Sequence, residues 1–297
     1  LLGDPRLLYQ IMAITRTMII FGAASVLHRA CTIATRYAAC RRQFVTEKGS
    51  KRERKILDYQ THMAILGPHL ANSFVTNLAG RAVEKLMQES FLECEKNNFK
   101  LLDICHHFTS GMKACCTDMS YKGSDECRQS AGGAGYHIAS GLVTGFTDHA
   151  VMPTFEGVNV IMYQQSSRYV LKQVKKAKAG KKLKFNFVYI NKIPELLSSK
   201  SQAKTIEDVL NLDYLEHVLK VRSAFHLETT YNMLGESKAS KQEKTNDLFA
   251  TDIQRMSHHH IIFIMFSLTR DAMKANTFRD PAVPAILNIL LKVYALK

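Results

Sequence analysis

Glycine and proline are scarce in this chain, 15 and 6 of 297 residues, while 46% of the residues are apolar. So few turn formers and so much apolar content exclude a disordered polymer and point to a globular, mostly helical chain. Also absent is any CxxC pair. The cysteines (Cys31, Cys40, Cys94, Cys105, Cys115, Cys116, Cys127) are seven, an odd number. That favours reduced thiols over a bridge framework or a zinc site, and a reducing intracellular compartment. No metal is expected. Long apolar runs are missing too. The longest, Thr17 to Leu27, lies between Arg16 and His28 and falls short of the roughly 20 residues that cross a bilayer, so no transmembrane segment is expected. The chain opens Leu1-Leu2-Gly3 without Met and closes Ala295-Leu296-Lys297, which is not an SKL-type tripeptide. A fragment of a longer polypeptide is one reading of these ends, and missing signals then carry no weight. There is no internal repeat, heptad seam or low-complexity tract.

What is present is positive charge and helical periodicity, in a length that accommodates about two domains. The formal charge of +14 is the signature of anionic partners: nucleic acid, acidic lipid or a phosphorylated small molecule. Most of the excess sits in two stretches, Arg41 to Lys55 and Lys172 to Lys184. The remainder is nearly neutral, so no nucleic acid partner is expected. Apolar residues recur at helical spacing from Arg6 to Phe44, which reads as one long helix, and Thr46 to Lys55, with Gly49 and Ser50, reads as a connection. Helical periodicity resumes over Ile56 to Cys94 and Leu101 to Met119. Gly132, Gly133, Gly135 and Gly141 then cluster, and Pro153 precedes a helical run from Gly157 to Val174. The lysine-rich stretch marks a boundary. Beyond it lie Ile206 to Met233, with a break near Asp213, then Asp247 to Asn276, and a last helix begun by Pro281 and Pro284. The expectation is an all-α, antiparallel helical bundle in two parts: residues 1–175, a linker at 176–204, and residues 205–297.

Three segments could carry chemistry. On a helix Tyr37, Arg41 and Phe44 would share a face, setting a guanidinium beside two rings, a grip for a nucleotide. The bland alternative is a helix end with solvated arginines. In Cys127 to Tyr136, three glycines in four positions allow close backbone approach by a ligand, or simply make a tight turn between helices. The spacing and the helical surroundings exclude a Rossmann fingerprint. Glu156, in Thr154-Phe155-Glu156-Gly157-Val158-Asn159, opens a helix. It is either an ordinary first-turn carboxylate or, in a dry pocket, a base.

In this order the segments resemble the acyl-CoA oxidases, peroxisomal flavoenzymes of the acyl-CoA dehydrogenase superfamily. The resemblance lies in Tyr37 to Phe44 (family Y-x-x-x-R-R-Q-F), Leu57-Asp58-Tyr59-Gln60-Thr61, Thr109-Ser110-Gly111-Met112-Lys113-Ala114, and Cys127 through Tyr136 (family C-R-E-A-C-G-G-H-G-Y). It continues in Thr154 to Asn159 (family T-Y-E-G-D-N), followed by Gln165, Arg168 and Tyr169. It is specific from Leu1 to about Lys172 and general afterwards. It implies a helical bundle of the acyl-CoA dehydrogenase C-terminal type plus part of a second helical domain, without the N-terminal helical and β-barrel domains of the family.

The resemblance also implies roles. Glu156 would be the catalytic base that takes the α-proton of a fatty acyl-CoA while hydride passes to FAD, and dioxygen would reoxidise the flavin to give hydrogen peroxide. Arg41, Phe44 and Gln60 would be FAD contacts, Gly132 and Gly133 would admit the FAD of a neighbouring subunit, and Asn159 would face the nucleotide. Arg16 would lie near the substrate. A peroxisomal homodimer is implied. The departures are Ala131 for a family Cys, Ala134 for His and Val158 for an acid. A truncated or diverged relative serving as a non-catalytic structural subunit is the alternative.

Other features read as ordinary. His258, His259 and His260 point about 100° apart on a helix and cannot share one metal, so they read as surface or interface residues. Ile261 to Leu268 reads as the buried side of a helix, Cys115 and Cys116 as small core residues, and Cys94, between Glu93 and Glu95, as unreactive.

Overall fold

The computed structural model describes residues 6–45, 49, 51–275 and 278–297. Leu1 to Gly3, Thr46 and Ser50 of the expected connection, and Asn276 as a helix end lie outside the described residues. The described residues are helical with no strand element. Four long helices form the first bundle: α1 (Arg6–Cys40), α2 (Gln60–Glu95), α3 (Leu102–Ser130) and α5 (Asn159–Lys178), with the short α4 (Leu142–His149) between the last two. Contacts fix their directions. Gly80 of α2 faces Ile20 and Phe21, while Phe74 meets His28 further along α1, so α1 and α2 are antiparallel. Arg16 meets Ser110, Ser120 bonds the Ala23 carbonyl and Cys31 meets Cys127, so α1 and α3 run together. Asn159 bonds Asp118 and Ser166 bonds His107, so α5 runs back along α3. The antiparallel bundle is the expected one.

By length and composition Tyr9–Cys40 is apolar enough to cross a membrane. A search for an unbroken apolar run misses this because polar residues interrupt it. Here the helix packs between α2 and α3, burying Ile20, Ala23, Leu27, Cys31, Ala34 and Ala38 together with Arg16. Its end corrects the expected span of Arg6 to Phe44. The helix stops at Cys40, and Arg42 pairs with Lys55 in an antiparallel bridge. Gln43 N–H donates to the Arg54 carbonyl, Arg54 N–H to that of Phe44 and Ile56 N–H to that of Arg41. Pairing with the returning strand satisfies amides that a helix would have satisfied within itself.

The remaining helices are α6 (Ile193–Ser198), α7 (Ile206–Val209), α8 (Leu212–Glu236), α9 (Lys241–Glu243), α10 (Ala250–Ala275) and α11 (Ala282–Leu296). The break expected near Asp213 lies between α7 and α8. It is built by two caps: Thr205 Oγ1 accepts from Asp208 N–H in a reciprocal capping box, and Asn211 Oδ1 accepts from Asp213 N–H. Thr205→Ala is expected to lower stability by about 1 kcal/mol, read as a lower urea midpoint; an unchanged midpoint would show that α7 needs no cap. The segment expected as a linker is not an idle tether. A 3₁₀ stretch, Phe185–Lys192, and α6 send Phe187, Tyr189, Ile190, Ile193 and Leu196 into the same core as α2, α3, α5, α8 and α10. Ile261 through Phe266 are all buried, so this part of α10 is covered on every side and not on one face alone. Cys115 and Cys116 are core residues as expected.

Of the two places expected for the three histidines of α10, surface or interface, the surface is excluded. His260 is fully buried, His258 bonds Tyr163, and His259 stacks on His226 at a ring separation of 4.3 Å. Their different directions on one helix give each a different partner.

Candidate functional site

Glu156 sits on the turn between α4 and α5, and two buried cations hold that turn. Arg16, 1% exposed on α1, donates from Nε and Nη2 to the Glu156 carbonyl, both at 3.3 Å, and from Nη1 to Ser110 Oγ at 3.1 Å. Lys113, fully buried on α3, donates to the Gly157 carbonyl at 2.8 Å and to Asn159 Oδ1 at 2.9 Å. Asn159 in turn donates to Asp118 at 2.6 Å and to Thr117 Oγ1 at 2.9 Å, and Tyr163 donates to Asp118. Both cations bind backbone carbonyls, so the Glu156 carboxylate is not consumed in holding its own loop; its side chain stays exposed.

The backbone at the turn is unusual. Glu156 has φ +56° and Gly157 φ +109°. The first is a left-handed conformation that carries a penalty for a residue with a Cβ. The second is tolerated by glycine, and a Cβ at Gly157 would also come within 2.3 Å of Met162 Cε. Strain of this kind persists only where the surroundings enforce it, and the two cations supply the enforcement. Burial pushes the Lys113 ammonium down to about 8, with Arg16 adding to that and Asp118 and Glu156 opposing it. Burial likewise lowers Arg16, against the attraction of Glu156.

The other expected site residues gather elsewhere. Arg41, Phe44 and Gln60 lie where the end of α1, the paired loop and the start of α2 meet, all exposed. Phe44 is off the helix, with φ +62°, so the shared helical face expected for Tyr37, Arg41 and Phe44 does not form. Tyr59 OH donates to the Gln43 carbonyl and ties the loop to α2. Cys127 and Ala131, just before the glycines, pack against Ala34, Ala38 and Leu66 at this same end of the bundle. Gly132 and Gly133 are exposed in the turn that follows α3. Added side-chain carbons at either would meet no atom of this chain. Gly132 needs its φ of +59°, but the fold gives Gly133 no reason to be small. Its smallness is left for something outside the chain.

An exposed guanidinium, an aromatic ring, an amide and an open glycine backbone fit the phosphates and ring of a dinucleotide. This group lies at the C-terminal end of α1 and the Glu156 group beside Arg16, in its first half. The 24 helical steps from Arg16 to Cys40 span about 36 Å at the helical rise. Asn159 belongs with Glu156, and its amide is fully engaged within the chain.

Sequence reasoning gave Lys113 no role. A signal was there: a lysine inside Ser110-Gly111-Met112-Lys113-Ala114-Cys115-Cys116 is a charge on an otherwise buried helix face, and such a charge demands partners. Nothing comparable marked Asp118, whose partners come from α5.

Residues 9–171 match the family model of the acyl-CoA oxidase C-alpha1 domain. The peroxisomal acyl-coenzyme A oxidase 1 of Mus musculus is 30% identical over 98% of this chain and 44% of its own length. That of Arabidopsis thaliana is likewise 30% identical, over 98% of the chain and 43% of its own length. The solved Arabidopsis acyl-CoA oxidase 1 superposes with a TM-score of 0.93 at 29% identity, covering 99% of this chain and 44% of that one. A Caenorhabditis elegans acyl-CoA oxidase-1 complexed with FAD and ATP gives 0.84 at 26% identity, covering 94% of this chain and 42% of that one. The chain thus spans less than half the length of the curated relatives it matches. With the family model covering more than half of the residues and the helical architecture shared throughout, the chain belongs to the acyl-CoA oxidase family.

Proposed function

We propose that this chain is the C-terminal helical part of an FAD-dependent acyl-CoA oxidase of peroxisomal β-oxidation. It would convert a fatty acyl-CoA to the trans-2-enoyl-CoA and reduce dioxygen to hydrogen peroxide, with residues 1–175 and 205–297 as its two helical parts. The observation that carries the reading is the Glu156 turn: an exposed carboxylate on a strained loop, fixed from beneath by Arg16 and Lys113 through its backbone.

In this reading Glu156 removes the α-proton of the acyl-CoA. FAD, when bound, supplies the hydride acceptor and its reoxidation by dioxygen. Arg16 and Lys113 act as positioning residues, because they hold the Glu156 and Gly157 carbonyls rather than the carboxylate. Arg41 would meet the phosphates, Phe44 a ring, and Gln60 with the Gly132–Gly133 backbone would complete the contact. The two groups of residues are too far apart along α1 to serve one cofactor. A two-fold dimer resolves this, with the glycine end of each chain reaching the FAD held mainly by its neighbour.

In a polypeptide that carries this chain together with the parts that complete its relatives, Glu156→Gln is expected to lower acyl-CoA-dependent peroxide formation at least about a hundredfold, with the yellow flavin retained. Unchanged turnover would refute the assignment. A non-catalytic assembly subunit is the second reading, favoured by Ala134 and Val158, where the family has polar groups. Native protein that purifies colourless supports that second reading; a bound flavin spectrum supports the first.

A further inference from the structure

The site does not use the lysine-rich segment, and the structure gives it a definite shape. From Lys172 to Lys192 there is no Asp or Glu. The first lysines have local explanations. Lys172 pairs with Asp103, Lys178 pairs with Glu228, and Lys175, Lys176 and Lys178 lie in the last turn of α5, where the helix dipole favours cations. Lys181, Lys182 and Lys184 lie past the helix end, are exposed, and among the described residues form no ion pair.

They stand on a built loop. Gly180 turns the chain with φ +76°, and Asn191 clamps the residues just beyond it, accepting from Leu183 N–H and donating to the Lys181 carbonyl, both at 2.8 Å. Phe187, Tyr189 and Ile190 anchor the far side of the loop in the core. Between clamp and anchor, Phe185 adopts φ +54° and leaves its ring 73% exposed, with Val188 exposed beside it. An aromatic residue in left-handed backbone is rare and carries strain. Here the strain puts the ring in water, next to three unpaired ammonium groups.

We propose that the 180–188 loop docks this chain on an anionic lipid surface, Lys181, Lys182 and Lys184 meeting headgroup phosphates while Phe185 enters the acyl boundary. An acidic protein segment would satisfy the charges but not the ring; a single-stranded nucleic acid could stack a base on it but would not draw the chain to vesicles. Phe185 and Val188 also line a cleft with Asn186, Lys192 and Glu216, but none of Lys181, Lys182 and Lys184 does, so their charges are presented outside it. Lipid supplies both halves, negative charge in the plane and apolar matter beneath it.

The test is co-sedimentation of the purified chain with vesicles of phosphatidylcholine alone or mixed in equal parts with phosphatidylserine. Binding is expected on the mixed vesicles only, and raised salt should weaken it. Lys181→Ser with Lys182→Ser should reduce it about 25-fold, at roughly fivefold per lysine, and Phe185→Ser about tenfold. All three positions are exposed, so the urea midpoints of the variants should match the parent. Equal binding to neutral vesicles, or none to either, would overturn the proposal. So would a Phe185→Ser protein that binds as the parent does, since charge alone would then hold the surface.

Discussion

Gly135→Ala is expected to destabilise the chain by about 3 kcal/mol or to remodel the end of α3, whereas Gly133→Ala, two residues earlier, should leave stability unchanged. The contrast comes from what each new methyl would meet. At Gly135 it would lie 1.9 Å from the Arg128 carbonyl oxygen. That atom belongs to the last turn of α3 and cannot yield as a side-chain tip would. At Gly133 the methyl would meet no atom of this chain, and the backbone φ is not in the left-handed region. Urea denaturation of the two variants separates them, and equal midpoints would show that the turn repacks freely. The pair also separates fold from function. In a flavin-bound assembly Gly133→Ala should weaken FAD retention while leaving the bundle intact, because the open face it fills is the one available to a cofactor or neighbouring subunit.

The same glycines show what was legible in the sequence. Periodicity located the long helices because each buries a stripe along its length, and the cluster at 132–141 marked the turn after α3. The end of α1 was not legible: its apolar spacing continues to Phe44, and only pairing with Arg54 and Lys55, an interaction outside the window, ends the helix at Cys40. The packing of the lysine stretch was not legible for a related reason: only the tertiary fold shows that Phe187, Tyr189 and Ile190 bind it to the core. At the site, Glu156 was found by resemblance to a family. The support beneath it, Lys113 with Asn159 and Asp118, depends on how α3 and α5 oppose each other, and single-segment patterns do not encode that. Consecutive histidines likewise reveal that they diverge but not where each one goes.

His260 and its partner His107 should make the fold acid-labile in a defined window. The hydrogen-bond directions are set by the acceptors available. His107 Nδ1–H donates to the Ser166 carbonyl at 2.9 Å, which leaves its Nε2 to accept from His260 Nε2–H at 3.2 Å. His260 Nδ1 then accepts from Tyr189 OH at 2.6 Å, and that hydroxyl oxygen accepts from Ser223 at 2.7 Å. Every ring nitrogen is engaged with both rings neutral, His107 Nδ1 also lying 3.0 Å from Ser166 Oγ. A proton added to His107 Nε2 would set N–H against N–H, and one added to His260 Nδ1 would turn the Tyr189 hydroxyl toward Ser223, placing a charge inside a core that also stacks Phe187 on His260 and Tyr169 on His107. Burial accordingly pushes His107 down to about 4 and His260 well below its ordinary value. Because the unfolded chain accepts these protons near pH 6.5 and the folded chain does not, the unfolded state binds more protons below that point, and stability falls with falling pH. Above about pH 6.5 both forms are neutral and the pair is silent. By about pH 5 the loss should reach about 2 kcal/mol for His107, with a further loss in the same direction from His260. Urea midpoints measured from about pH 7.5 to 5 should therefore drop steeply in the parent. The His107→Gln, His260→Gln double variant starts from lower stability at neutral pH, since the glutamines cannot rebuild the chain of hydrogen bonds. Its pH slope should nevertheless be shallower by about two protons. A slope equal to the parent's would place the acid sensitivity in other groups, such as His149, which burial lowers to about 4.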